Sequence, residues 1–134
     1  MLVVDSSAVL AWALADEQDH AEHLLDRMSV ERAVVPAHWI LEVTNGLRMA
    51  VRRRRLKVGE PAEIVERLRI LPITIDLETT VKGWSEIPAL AEKFALTTYD
   101  AAYLELAMRL DAPLATLDRE LSRAARSAKV KLQT

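Results

Sequence analysis

Apolar positions along this chain follow two alternating rhythms. Leu2-Val3-Val4-Asp5, Arg32-Ala33-Val34-Val35, Ile73-Thr74-Ile75 and Leu114-Ala115-Thr116-Leu117-Asp118 are short aliphatic runs, several of them β-branched and each bounded by polar residues or proline. Runs of this kind predict short strands buried in a parallel sheet. Between them, apolar residues recur at three- and four-residue spacing, which predicts helices laying one face on a core. Ser6 and Ser7 are N-cap candidates for a helix over Ala8–Leu14. Further helices are expected over His20–Met28, from about Ala37 into an arginine-rich stretch ending before Gly59, and over Ala62–Leu71. Pro36 suits the first turn of the helix that begins near Ala37. Asp76 or Thr79 caps more helix, Pro88 divides two helical pieces, and Thr97 or Thr98 caps a helix over Tyr99–Leu110. A last helix is expected over Arg119–Ser127, after which Val130-Lys131-Leu132 can close the sheet.

Strands alternating with helices predict the α/β class, a parallel sheet covered on both faces. No internal repeat, low-complexity tract or linker divides the chain, so residues 1–134 are expected to form one domain. That length, with 51% apolar residues, is enough for a buried core. Cysteine is absent, which excludes disulfides, thiolate nucleophiles and zinc–thiolate sites and fits a reducing cytoplasm. Ala8–Ala15 is apolar, but Asp5 precedes it and Asp16 and Glu17 bound it, so it does not read as a signal peptide. No uncharged apolar stretch reaches the roughly 18 residues of a spanning helix, so no membrane association is expected.

The formal net charge of -2 is not that of a typical nucleic-acid binder. Its distribution changes the picture. Arg52, Arg53, Arg54, Arg55 and Lys57 crowd one short stretch, and a surface potential fades within about 8–10 Å at physiological salt. Guanidinium forks match phosphate oxygens, so the arginines are candidate RNA contacts; they equally suit a solvated helix C-terminus.

Isolated acids carry the rest of the chemistry. Ligands of open parallel sheets bind outside the carboxyl ends of the strands, and Asp5 and Asp118 are both expected there. Glu42 is the one acid in Trp39-Ile40-Leu41-Glu42-Val43-Thr44 and shares a helical face with Trp39, Val43 and Gly46. Asp100 sits in a first helical turn beside Tyr99, Ala101, Ala102 and Tyr103. Taken singly, each has a structural use: helix cap, dipole partner, or for Glu42 an ion pair with Arg48 or His38. Gathered in one crevice they would repel, by about 1 kcal/mol per pair at 4 Å in water and about 4 at an effective dielectric of 20. A divalent cation reverses that balance, and oxygen ligands without His or Cys select Mg²⁺ or Mn²⁺ over zinc.

At these residues the chain resembles a known family. Met1-Leu2-Val3-Val4-Asp5-Ser6-Ser7, Glu42, Thr98-Tyr99-Asp100-Ala101-Ala102-Tyr103 and Leu114-Ala115-Thr116-Leu117-Asp118-Arg119-Glu120-Leu121 resemble PIN-domain nucleases, and more narrowly VapC toxins of toxin–antitoxin pairs. The resemblance implies a twisted parallel sheet flanked by helices and Mg²⁺- or Mn²⁺-dependent endonucleolytic cleavage of cellular RNA. It also implies a homodimer and inhibition by a cognate antitoxin. Asp5, Glu42, Asp100 and Asp118 would hold the metal directly or through water, with Glu120 close enough to assist or replace Asp118. Ser6 and Thr116 would position a carboxylate, a water or a phosphate oxygen, although capping or a sheet-edge hydrogen bond also accounts for Thr116.

Competing functions fit less well. Gly46, Gly59 and Gly83 form no glycine-rich loop, so both dinucleotide and P-loop fingerprints fail. A metal-dependent phosphohydrolase acting on small substrates would want an Asp-x-Asp pattern, where Ser7 stands instead. A non-catalytic interaction module on the same fold would not need the full acidic set. His20 and His23 share a helical face but read as surface residues, and His38 and Glu42 form an i, i+4 pair. Trp12, Trp39 and Trp84 are expected in the core, with Trp12 positioned to leave an apolar patch for dimerisation or an antitoxin helix.

Overall fold

Parallel strands carry the fold in the computed structural model, which describes residues 1–14 and 18–133, the side chains of residues 18–22 excepted. They are β1 (Leu2–Val4), β2 (Ala33–Pro36), β3 (Ile73–Asp76) and β4 (Leu114–Ala115), lying side by side in the order β3-β2-β1-β4. Leu132 adds an isolated parallel bridge to Leu114. The helices are α1 (Ser6–Ala13), α2 (Gln18–Val30), α3 (Trp39–Arg52), α4 (Glu60–Arg69), α5 (Thr79–Lys82), α6 (Glu86–Phe94), α7 (Thr98–Leu110) and α8 (Arg119–Ser127).

The central strands β1 and β2 are buried throughout, as their unbroken apolar runs require. β3 lies at the sheet edge, and its Thr74 faces solvent. From β1 the chain adds β2 and β3 on one side, then returns to place β4 on the other. The switch point therefore falls between β1 and β4, where a crevice opens beyond the carboxyl ends of both strands.

Two prolines sit differently from the sequence expectation. Pro36 ends β2 rather than starting a helix, paired with Asp76 of β3. The β1–β2 register is Leu2 with Ala33 and Val3 with Val34, so Pro36 lies past that ladder, where its missing N–H costs no bond to β1. Pro88 lies inside the first turn of α6, where no intrahelical donor is needed. The break between α5 and α6 falls instead at Gly83–Ser85. β4 is shorter than its apolar run, because the Thr116 side chain makes hydrogen bonds beyond the strand end.

The core forms where the sheet meets α3 and α7. α3 buries Trp39, Val43, Leu47 and Ala50, and α7 buries the whole segment from Ala101 to Ala107. Gly46 lets α1 approach α3 closely: a Cβ there would stand 2.4 Å from Leu10 Cδ1. This approach brings the start of α1 toward Glu42. Of the tryptophans, Trp39 is buried and Trp12 is partly buried, with the Arg67 guanidinium 4.7 Å from its ring centroid. Trp84, expected in the core, is 88% exposed, because the turn after α5 carries it away from the sheet. The shared face expected for His20 and His23 involves the His20 side chain, which lies outside the described residues.

A charged clamp fixes the far end of α7. Arg109 Nη2 donates to Asp76 Oδ2 at 2.6 Å, its Nε to Glu105 Oε1 at 2.8 Å and its Nη1 to Glu78 Oε2 at 2.9 Å. Thr79 Oγ1 also donates to Asp76 Oδ2, at 2.7 Å. The end of β3, the start of α5 and the last turns of α7 are thereby joined.

Candidate active site

The chain leaves β1 at Asp5 and enters α1 at Ser6, which places the Asp5 carboxylate at the switch point. Asp5 N donates to Ala115 O at 2.9 Å, locking the exit of β1 to β4. Only 3% of Asp5 is exposed, and a buried carboxylate needs donors. Thr116 Oγ1 supplies one to Oδ2 at 2.6 Å, and Ser7 Oγ another to Oδ2 at 2.7 Å. Both hydroxyls are held in turn by the β4–α8 loop: Thr116 Oγ1 accepts from Asp118 N at 3.0 Å and Ser7 Oγ from Leu117 N at 3.0 Å.

This arrangement revises the expected roles of the serines. The N-cap of α1 is Asp5, without a side-chain cap bond, rather than Ser6 or Ser7. Ser6 Oγ lies 3.4 Å from both Asp5 Oδ1 and Glu42 Oε1, at the long limit of hydrogen bonding, and bridges the two acids. Ser7, a capping candidate by its sequence position, makes the short bond instead. Its signal was its place two residues after the strand-ending acid, which also suits an ordinary turn.

Glu42 enters from the first turn of α3. Its Oε1 accepts a hydrogen bond from the buried Tyr103 hydroxyl and lies 3.7 Å from His38 Nε2. His38 Nε2 is also 3.1 Å from the Tyr99 carbonyl oxygen; a carbonyl only accepts, so this nitrogen carries a proton. The His38 ring packs edge-on against Tyr103, with centroids 5.3 Å apart.

Asp100 stands half-buried in the first turn of α7, whose N-cap Thr97 accepts from Asp100 N at 3.1 Å. Its carboxyl is pushed up to about 6 by burial first, then by the charges of Asp5, Asp118 and Glu42, against a lowering hydrogen bond from Thr97. Asp118 Oδ1 caps α8 by accepting from Leu121 N at 2.8 Å. The capping use weighed for Asp118 therefore holds, alongside its nearness to Asp100. Glu120 is exposed and accepts from Arg123 at 3.1 Å.

Four acids thus gather at the sheet edge, whereas the arginine run lies apart. Arg52 ends α3 ten residues beyond Glu42, roughly 15 Å along the helix axis, and Arg53, Arg54 and Arg55 follow it into solvent. Among the described residues, no three acidic or histidine side chains stand in closed ligand geometry. Burial first, and then repulsion between like charges, raises the Asp100 carboxyl. Clustered carboxylate oxygens with a charge excess and no histidine or cysteine ligand set are the donors that fit a hard divalent cation.

The PIN domain model matches residues 2–127. The chain belongs to the PIN-domain family. It is similar to Ribonuclease VapC3 of Pyrobaculum aerophilum, with 32% identity over 90% of this chain and 92% of that protein. It is likewise similar to Ribonuclease VapC9 of Mycobacterium tuberculosis, with 35% identity over 91% of this chain and 89% of that protein. Solved folds agree. A Pyrobaculum aerophilum crystal structure superposes with a TM-score of 0.69 at 24% identity, over 92% of this chain and 84% of that one. Mycobacterium tuberculosis VapC20, described as a sarcin-ricin loop cleaving toxin, gives 0.65 at 15% identity, over 92% and 95%.

In this PIN-domain chain the Asp100 carboxyl makes a measurable prediction. A carboxyl raised from 3.8 to about 6 binds its proton more tightly in the folded state. Its contribution to stability is therefore fully present below 3.8 and lost as pH rises through about 6. Asp100→Asn should stabilise the metal-free protein, by an amount that grows from pH 4 to 6 and then levels. Allowing for solvent screening at a half-exposed site, the plateau is expected at about 1–2 kcal/mol. Urea melts in chelator across that range check it; a gap that did not vary with pH would contradict it.

Proposed function

We propose that this chain is a metal-dependent endoribonuclease, the toxin of a toxin–antitoxin pair, with Asp5, Glu42, Asp100 and Asp118 as its catalytic carboxylates. The observation that carries the proposal is the gathering of acids at the β1–β4 switch point: Ser6 Oγ lies 3.4 Å from both Asp5 Oδ1 and Glu42 Oε1, and the charges of Asp5, Asp118 and Glu42 add to burial in raising Asp100. The ribonuclease names of relatives similar over nine-tenths of the chain support the same activity.

The chemistry a bound Mg²⁺ or Mn²⁺ supplies is charge neutralisation at the scissile phosphate and a lowered pKa for the attacking water. The chain supplies the geometry. Asp5 is held rigid by the hydroxyls of Ser7 and Thr116, which prevents it from swinging away from its neighbours. Asp118 is held through Oδ1 by the α8 backbone. Ser6 spans Asp5 and Glu42 and is placed to donate to a phosphate oxygen or a water. Protons leaving the attacking water find carboxylates rather than a histidine or lysine base.

A separate open groove of about 850 Å³ lies along another face of α3, lined by Leu41, Thr44, Asn45, Arg48, Val51 and Arg52. Exposed arginines there hold phosphates by charge, without reading sequence. Arg52→Gln with Arg53→Gln should reduce the salt dependence of RNA binding, by about 0.7 in the log–log slope for each arginine–phosphate pair removed. Fluorescence anisotropy at several salt concentrations measures it, and an unchanged slope assigns the run to a solvated helix end.

Four clustered acids also define an inhibitor: a cognate antitoxin segment presenting a basic side chain to them. The working assembly is a homodimer in a reducing cytoplasm. Cleavage of total cellular RNA by purified protein, with Mg²⁺ or Mn²⁺ against chelator, tests the function. Discrete metal-dependent fragments are expected; no cleavage by folded, antitoxin-free protein would overturn it.

A further inference from the structure

We propose that Tyr103 is a positioning residue, whose hydroxyl bond to Oε1 fixes the Glu42 carboxylate in the orientation in which it would help hold a divalent cation. This rests on the metal-dependent reading above and adds a group that touches neither cation nor RNA.

Tyr103 is the largest of the fully buried side chains, set among apolar neighbours of α7 and the core cluster. Phenylalanine would fill that space with no polar atom to satisfy. Burying a phenol hydroxyl is unfavourable unless it is paired, so its presence points to the partner. That partner is Glu42 Oε1, and a bond to an ionised carboxylate is among the stronger kinds.

The surroundings make the bond directional. Tyr103 lies one turn after Asp100 on α7, and Glu42 lies in the first turn of α3, so this one bond ties two acid-bearing helices. Ser6 Oγ and His38 Nε2 approach the same oxygen, Oε1, at 3.4 and 3.7 Å. The His38 ring, packed edge-on against Tyr103, limits the motion of the phenol ring. A phenol, with an ordinary pKa of about 10, is a donor at neutral pH. Supporting hydrogen bonds to metal ligands are worth about 10- to 100-fold in metal affinity.

The test is Mn²⁺ titration of the full chain, freed of antitoxin, by calorimetry. Tyr103→Phe should fold and melt close to wild type, yet bind Mn²⁺ about 10- to 100-fold more weakly. Its kcat should recover toward wild type at saturating Mn²⁺, with KM for RNA unmoved. Because Tyr103 acts through Glu42, Glu42→Gln with Tyr103→Phe should bind Mn²⁺ no more weakly than Glu42→Gln alone. An unchanged affinity in Tyr103→Phe, or a further loss in the double variant, would overturn the proposal. A wild-type chain that bound no Mn²⁺ would instead overturn the metal reading, and this inference with it. A second measurement does not depend on the fold of Tyr103→Phe. The chain has two tyrosines and three tryptophans, so in Tyr99→Phe protein Tyr103 is the sole tyrosine, and Mg²⁺ should produce a tyrosine ultraviolet difference band resolved from those of the tryptophans. The band should vanish when Glu42→Gln is added; a metal-binding protein without it contradicts the proposal.

Discussion

Asp5→Asn is expected to abolish RNA cleavage while leaving the fold intact. Asp5 is the most deeply buried of the four acids and the one held by two short hydroxyl bonds. Asparagine retains one oxygen in the same shape, so Thr116 and Ser7 keep an acceptor. What is lost is a negative charge at the switch point, where it is needed against a divalent cation. Electrostatic stabilisation of this kind is worth several kcal/mol, which is a rate loss of about 10²–10³-fold or more. Metal-free stability should move the other way, because removing one charge relieves repulsion with Asp100. Single-turnover cleavage with excess enzyme, paired with thermal melts in chelator, reads both effects. Wild-type turnover in Asp5→Asn would remove Asp5 from the site, whereas a collapsed fold would make it a structural residue.

Arg109→Met is expected to be strongly destabilising although it lies away from the four site acids. Arg109, Asp76 and Glu105 have side chains 19%, 11% and 7% exposed, so the clamp is largely out of water. Methionine preserves the aliphatic stem but strands two carboxylates, and removing one partner of a buried pair costs roughly 3–5 kcal/mol. Partial solvent access at Asp76 places the expectation near the lower figure, about 3 kcal/mol. Glu78, mostly exposed, contributes little to it. Burial raises the Asp76 carboxyl, but bonds from Arg109 and Thr79 outweigh this and hold it below its ordinary 3.8. A depressed carboxyl stabilises above its unfolded value and loses that contribution as pH falls through the folded one. The gap between wild type and Arg109→Met should therefore be full at pH 7 and shrink in acid, as denaturant melts would measure. An undiminished gap at low pH would mean the arginine acts through packing alone.

The fold was largely legible because it rests on local pattern. Unbroken apolar runs can lie only in a sheet covered on both faces, and Leu2–Val4 and Ala33–Val35 did so. Thr97 capped α7 as its side chain requires. Boundaries failed where a proline or a hydroxyl answered to a neighbour outside its own segment. Pro36 stayed in β2 because the β1 ladder had already ended, and β4 stopped early because Thr116 turned to Asp5. Trp84 was misplaced because hydrophobicity alone does not say which side of a turn meets the core.

The sequence by itself determined that four isolated acids exist, two of them at strand ends, in an order typical of the PIN domain. Only the tertiary structure decided that β4 returns beside β1 and not beyond β3, which brings Asp118 to Asp5 across more than a hundred residues. It also decided that Ser7 rather than Ser6 grips Asp5, and that a core tyrosine reaches Glu42. The physical reason is the range of the interactions. Periodicity and capping act within a turn or a strand and can be read from neighbours, while a carboxylate's charge and hydrogen bonds depend on which distant segments packing brings to it.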